Sequence, residues 1–358
     1  MNRIATLMVA TATVCITACA GAPVQGSADA NDAQQVVAPL NNIYDVAWIR
    51  SADGSTTSLE YAAGELSQYD VVFFGEYHGH SGNHLAQMRM FQALHERYAN
   101  MALSLEQFER DTQPVVDQYL AGEIGEQVLQ DDARAWDNYE ESYRPLVEYA
   151  VAHQLPVIAA NAPKNAVICV GRKGAEILDE MPQPDRSWVA AELHIEEGAY
   201  LDKFMQFVAG NSSHGGGGDA SEMSDRMRAM VMQSFAAQVL RDDTMAESIT
   251  MYLQDHPDSK VLHLNGNFHS ASHLGTVERL KVRMPDLKIA VINPIAVDDN
   301  NTPAWSDEDR ATGDYILLVQ NLPDAFVSEE KELEFQREVL GKRMGNKCEY
   351  GADAATQD

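Results

Sequence analysis

Short apolar runs alternate with stretches of helical periodicity along most of the chain. Residues 43–49 (IYDVAWI) predict a short strand, and 57–68 an amphipathic helix. The run 71–74 (VVFF) is apolar enough for a strand buried on both faces. A helix is predicted over 83–98, with Leu85, Met88, Phe91 and Leu94 at helical spacing. Further strands are predicted at 101–105 and 155–160, with helices at 112–130 and 142–153 between them. Pro163 suits the first turn of another helix. The pattern from 187 to 255 is helical, broken by a loop at 211–219 that contains Gly215 to Gly218. Strands return at 261–264 and 289–292 around a helix at 270–283, and 315–320 reads as an edge strand. The tail from 345 is polar and reads as loose.

Strands alternating with helices predict an α/β fold: a mainly parallel sheet flanked by helices, with 187–255 as a helical insertion or lid. The α/β domain spans 40–320, and 321–358 is a C-terminal extension with a polar tail. Ahead of it, Arg3 and the apolar stretch 4–16 have the layout of a secretory signal, too short to span a bilayer. Residues 1–18 are therefore read as a signal peptide. Ile16-Thr17-Ala18-Cys19 resembles a bacterial lipobox, which implies lipidation of Cys19. Ala20 after it fits outer-membrane sorting. Residues 19–39 read as a flexible tether of roughly 25 Å reach, which hangs the folded body in the periplasm.

Charge narrows the partners. Asp and Glu number 54 against 26 Lys and Arg, for a net charge of -28 over 358 residues. Phosphate binding needs clustered cations, so nucleic acid is excluded as a partner. Cys169 and Cys348 either form a disulfide, which an oxidising compartment permits, or remain one buried and one tail thiol.

The polar residues fall at one kind of place. Ligands of open α/β sheets bind at the carboxyl ends of the strands. Here those ends run into Gly75-Glu76-Tyr77-His78, into Glu106, into Asn161, into Asn265-Gly266-Asn267-Phe268-His269, and into Asn293. Two turns share the pattern strand, Gly-x-x-His, helix, which brings His78 and His269 together with Glu106. Two imidazoles and a carboxylate make a sensible ligand set for a divalent metal such as Mn or Zn. Glu76 would then be the general base of a metal-dependent hydrolase, with Asn161 and Asn267 behind the ligands. His80, His84 and His273 read either as further ligands or as helix-cap histidines. Tyr139 and Tyr143 share a helix face, and phenolate is an accepted haem ligand. Arg144 beside them suits a propionate. The same block also reads as an aromatic face packed on the sheet, with Arg144 in a surface ion pair. Met223, Met227 and Met230 form a stripe that is either core or a ligand-facing surface.

The order of several motifs resembles the ChaN-like haem-binding uptake family of the Tiki superfamily. They are Gly75-Glu76-Tyr77-His78 with His84, Ser104-Leu105-Glu106-Gln107-Phe108, Gln113-Pro114 with Asp117, Tyr119-Leu120 and Gly122, Tyr143-Arg144-Pro145-Leu146, the run 155–161, Asp243 with Met245-Ala246, and Gly266-Asn267 with His269. The resemblance covers about 60–295. It implies a periplasm-facing lipoprotein that binds haem through a tyrosine, as a homodimer, in haem or iron uptake. Tyr143 is the first choice of ligand, Tyr139 the second, with Arg144 or His84 at the propionates. The wider superfamily includes metal-dependent proteases, whose chemistry would fall on His78, Glu106 and His269.

Overall fold

The computed structural model describes residues 37–211, 224–345 and 347–350. The signal, Cys19, most of the tether, Met223 and the glycine run 215–218 lie outside the described residues. Residues 35–358 form a unit of their own, built on an eight-stranded sheet. It begins with β1 (Ala47–Arg50), β2 (Thr56–Thr57) and α1 (Leu59–Leu66). Next come β3 (Val71–Glu76), α2 (Ser81–His95) and β4 (Met101–Glu109). Four short helices follow: α3 (Gln113–Leu120), α4 (Glu126–Asp132), α5 (Tyr139–Ser142) and α6 (Arg144–His153). After β5 (Val157–Asn161) come α7 (Lys164–Lys173), α8 (Ala199–Asn211) and the long α9 (Asp225–Asp255). The remainder is β6 (Lys260–Gly266), α10 (Thr276–Arg283), β7 (Ile289–Val297), α11 (Asp307–Arg310), β8 (Tyr315–Gln320) and α12 (Glu329–Gly345).

Strand order is β2-β1-β8-β7-β3-β6-β4-β5. The six strands from β8 to β5 are parallel, and β1 joins β8 antiparallel. Alternation along a strand sends successive side chains to opposite faces. In β3, Val72 and Phe74 therefore enter a core with Met90, Phe91, Leu146 and Val147, while Val71 and Phe73 enter one with Met245, Ile249 and Leu280. Both faces of the central strand are covered, which is why its apolar run is uninterrupted.

Three expectations change. The strand at 315–320 is interior rather than an edge, because the β1–β2 hairpin pairs along its outer side. Ile316 and Leu318 are accordingly buried with Val37, Leu40 and Ile49. The 187–255 stretch divides: 189–198 has no helix, and the second half of α9 is a layer of the core, since Met245, Ala246, Ile249 and Leu253 pack on the sheet. The tail is not wholly loose, because Cys348 is buried and joined to Cys169 of α7, with S–S at 2.09 Å.

Candidate functional site

Glu76 closes β3 on the face that α2 covers. It is buried, and four side chains converge on it. Oε1 accepts from His78 Nδ1 at 2.8 Å, from Gln107 Nε2 at 3.1 Å and from the Tyr143 hydroxyl. Oε2 accepts from Gln87 Nε2 at 2.9 Å. Burial works against the charge, but His78 and the Tyr143 hydroxyl outweigh it and hold this carboxyl below its ordinary range. With its lone pairs engaged, Glu76 orients His78 instead of facing a reactant. Its neighbour His84 is buried and neutral: the Gly79 amide donates to its Nε2 at 3.3 Å, so the proton sits on Nδ1, 2.9 Å from Gln87 Oε1. Burial is the main cause of its lowered pKa.

His78 is the open member of the group, with 49% of its side chain exposed. Its ring meets Trp136 edge-on, with centroids 5.0 Å apart. Burial opposes protonation, but Glu76 and Glu106 raise the pKa of His78 above its ordinary value. Its Nε2 lies over Gly266, where a Cβ would stand 2.8 Å from it. Any side chain at 266 would crowd that nitrogen.

The second half of the site hangs on β4 and β6. Glu106 Oε2 accepts the Gly266 amide at 2.7 Å, and Oε1 lies 3.4 Å from His269 Nε2. The other ring nitrogen of His269 donates to Asp242 Oδ1 at 2.7 Å. Both acids are buried, and despite that burial the charged His269 keeps their carboxyls low. His269 is in turn raised to about 10, against the effect of burial, by Glu106 and Asp242. Asn161 supports the group from β5 by donating Nδ2 to the Glu106 carbonyl at 3.0 Å. Asn267 fills the space above Gly75, where a Cβ would come within 3.1 Å of its Cα.

Glu76, His78, Glu106, Asn161, Asn267 and His269 thus gather at one sheet edge, as the strand ends predict. The donors, however, serve one another. His269 uses both nitrogens on carboxylates, and Glu106 is shared between an imidazole and an amide. Among the described residues no three His, Cys, Asp or Glu side chains are arranged to hold a metal ion. Asp242, Gln87 and Gln107 are part of the site and were missed in the sequence. For Asp242 a signal existed: with Val239, Ala246 and Ile249 it occupies the inward stripe of α9, where an acid needs a partner.

Comparison with known proteins now bears on this geometry. A family model described as haem-binding uptake, Tiki superfamily, ChaN matches residues 62–280. The chain belongs to this family. Among solved structures, ChaN of Campylobacter jejuni, described with cofacial haem binding, is 17% identical with a TM-score of 0.58. The match covers 77% of this chain and 98% of that one. An erythromycin esterase variant in its open conformation is 13% identical with a TM-score of 0.42, over 78% of this chain and 99% of its own. No curated protein matches the chain.

For a ChaN family member, the residues that the resemblance marked for haem sit unexpectedly deep. Tyr143 is 0% exposed and Tyr139 1%. The Tyr143 hydroxyl donates to Glu76, and that of Tyr139 has no partner among the described residues. Burial raises the pKa of both phenols. Arg144 pairs with Glu126, and with Glu140 at 3.0 Å. His80 caps α2 and reaches the Gln320 carbonyl at 2.8 Å, and His273 pairs with Asp314 at 2.9 Å. Met227 and Met230 are exposed.

Proposed function

We propose that this chain binds haem at the open side of the site, with His78 as the iron ligand. One observation carries the reading: a half-exposed imidazole whose Nδ1 is held by a buried carboxylate, 2.8 Å away, and whose Nε2 faces Gly266, a residue with no side chain. Histidines that ligate metals nearly always donate their other nitrogen to such a partner, which fixes the tautomer and raises ligand basicity. The residues therefore fit the group. Trp136 offers an apolar wall beside the ring. Haem would supply an iron centre for storage or transfer of the cofactor. Arg144 would meet a propionate only by leaving Glu126 and Glu140. Tyr143 and Tyr139 would become ligands only if residues 139–143 left the core, and we place them behind His78 for that reason.

The reading includes a periplasm-facing, outer-membrane lipoprotein anchored through Cys19, and the homodimer that the family resemblance implies. The buried Cys169–Cys348 bond supports an oxidising compartment.

A haemin titration of the soluble form from Ala20, followed by absorbance, tests the proposal. Saturable binding that His78→Ala abolishes and Tyr143→Phe leaves intact is expected. Unchanged binding in His78→Ala, with loss in Tyr143→Phe or Tyr139→Phe, would transfer ligation to a phenol.

A second reading, hydrolysis, is favoured by the charged His269 lying beside the Glu76–His78 pair, since an imidazole base next to a fixed cation suits acyl transfer. Turnover of a nitrophenyl ester by haem-free protein, lost in His78→Ala, would support it. Elemental analysis for Mn and Zn on the same sample decides whether a metal takes part.

A further inference from the structure

α8 carries Tyr200, Lys203, Phe204 and Phe207 at the i, i+3, i+4, i+7 spacing of one helical face. All four meet the turn that bears His269. The Tyr200 hydroxyl donates to Asp242 Oδ2 at 2.6 Å, and the other oxygen of Asp242 holds His269 Nδ1 at 2.7 Å. Lys203 Nζ donates to the carbonyls of Phe268 at 3.0 Å and Ala271 at 3.1 Å, so it bridges the backbone on both sides of His269. It also lies 4.6 Å from the centre of the Phe268 ring. The rings of Tyr200, Phe204 and Phe207 stand 5.6, 6.3 and 5.5 Å from that same ring.

Packing alone would need only the rings. Among the described residues Lys203 forms no ion pair within 4 Å, and its ammonium is directed to two carbonyls and a π face. Withdrawing a cation from water for such partners is expensive unless the contacts hold something in place. The turn's other bonds lie to either side of the ring: the Ser270 amide reaches the Asn267 carbonyl at 3.3 Å, and Asn265 Nδ2 donates to Ser270 Oγ at 3.0 Å. The His273 amide donates to the Ser270 carbonyl at 3.0 Å and the Ser272 amide to the Thr312 carbonyl at 2.7 Å, while Ser272 and His273 have positive φ.

We infer that Tyr200 and Lys203 are positioning residues for His269: α8 clamps the turn through Lys203 and orients the ring through Tyr200 and Asp242. The inference concerns haem-free protein and stands apart from the haem proposal.

Amide hydrogen exchange of the full chain tests the clamp. Lys203→Met is expected to raise exchange across 267–273 by about tenfold or more, the loss of two charge-assisted bonds, with the amides of β3 and β4 unchanged. Lys203→Arg, which keeps the charge and can donate twice, is expected to restore protection. Tyr200→Phe keeps the ring and so the packing. It is expected to shift the His269 Nδ1 proton resonance, which a role in packing alone would not move. Local exchange at the wild-type level in Lys203→Met overturns the inference, as does an unmoved His269 resonance in Tyr200→Phe. Failure of Lys203→Arg to restore protection also overturns it.

Discussion

Glu106 reaches His269 at 3.4 Å with one oxygen and takes the Gly266 amide at 2.7 Å with the other. A single carboxylate thereby fixes both the ring and the backbone turn that delivers it. Because β4 and β6 are adjacent and parallel, residues far apart in sequence meet at the same sheet edge. His78 arrives from β3 on the far side of β6, and Gly266 is where the two halves of the site touch.

Gly266→Ala should separate binding from folding. The new Cβ would stand 2.8 Å from His78 Nε2, but the ring is half exposed and can swing away. We expect thermal stability within about 1 kcal/mol of wild type and haemin affinity reduced at least tenfold by absorbance titration. Wild-type affinity would remove His78 from the ligand position.

Glu76→Gln keeps the shape and removes the charge. It sets an amide NH2 against the donor of Gln87 in one orientation or that of Gln107 in the other, and withdraws the anion from His78. Removing one partner from a buried charged network costs about 3–5 kcal/mol, read as a fall in denaturation midpoint. Haemin affinity should fall by about 10–100-fold, the usual effect of losing the residue behind a ligand.

His263 predicts acid sensitivity. It is fully buried on β6, with Nδ1 2.9 Å from Ser104 Oγ and, among the described residues, no partner on Nε2. Burial lowers its pKa from 6.5 to about 3. The unfolded chain therefore binds a proton that the folded one refuses, and its contribution, complete above pH 6.5, is lost as pH falls toward 3. The loss is about 1.4 kcal/mol per pH unit. Denaturant unfolding at pH 7 and pH 4.5 should show His263→Leu losing roughly 3 kcal/mol less than wild type. Equal losses would mean that other groups govern acid unfolding.

Cys348→Ser should loosen the C-terminal end. The bond closes a loop of 179 residues, for which chain entropy gives roughly 5 kcal/mol and typical measurements give about 2–4. A lowered melting temperature, reproduced in wild type by reductant, is expected. Wild-type melting in both would show that the tail adds no stability.

Much of this molecule follows from local pattern alone. Apolar runs of four to six residues between helical stretches are sufficient to mark the parallel strands. A glycine followed by a carboxylate or imidazole at a strand end marks where chemistry gathers. His78 and His269 were legible on that basis, and Glu106 as a carboxylate following an apolar run, because strand ends share one edge whatever their order. Strand order itself was not legible, since pairing is decided by contacts between distant segments; hence 315–320 looks like an edge in sequence and is interior in the fold. Nor was the depth of Tyr139 and Tyr143. An aromatic pair on a helix face reads the same whether it meets a ligand or the core, and only tertiary contacts bury it, Tyr139 against Phe108 and Tyr143 against Glu76 and His84. The Cys169–Cys348 bond belongs with these, because a partner supplied by another segment leaves no periodic trace in the residue's own neighbourhood; for Asp242 the stripe of α9 marks burial but does not name His269 as the partner.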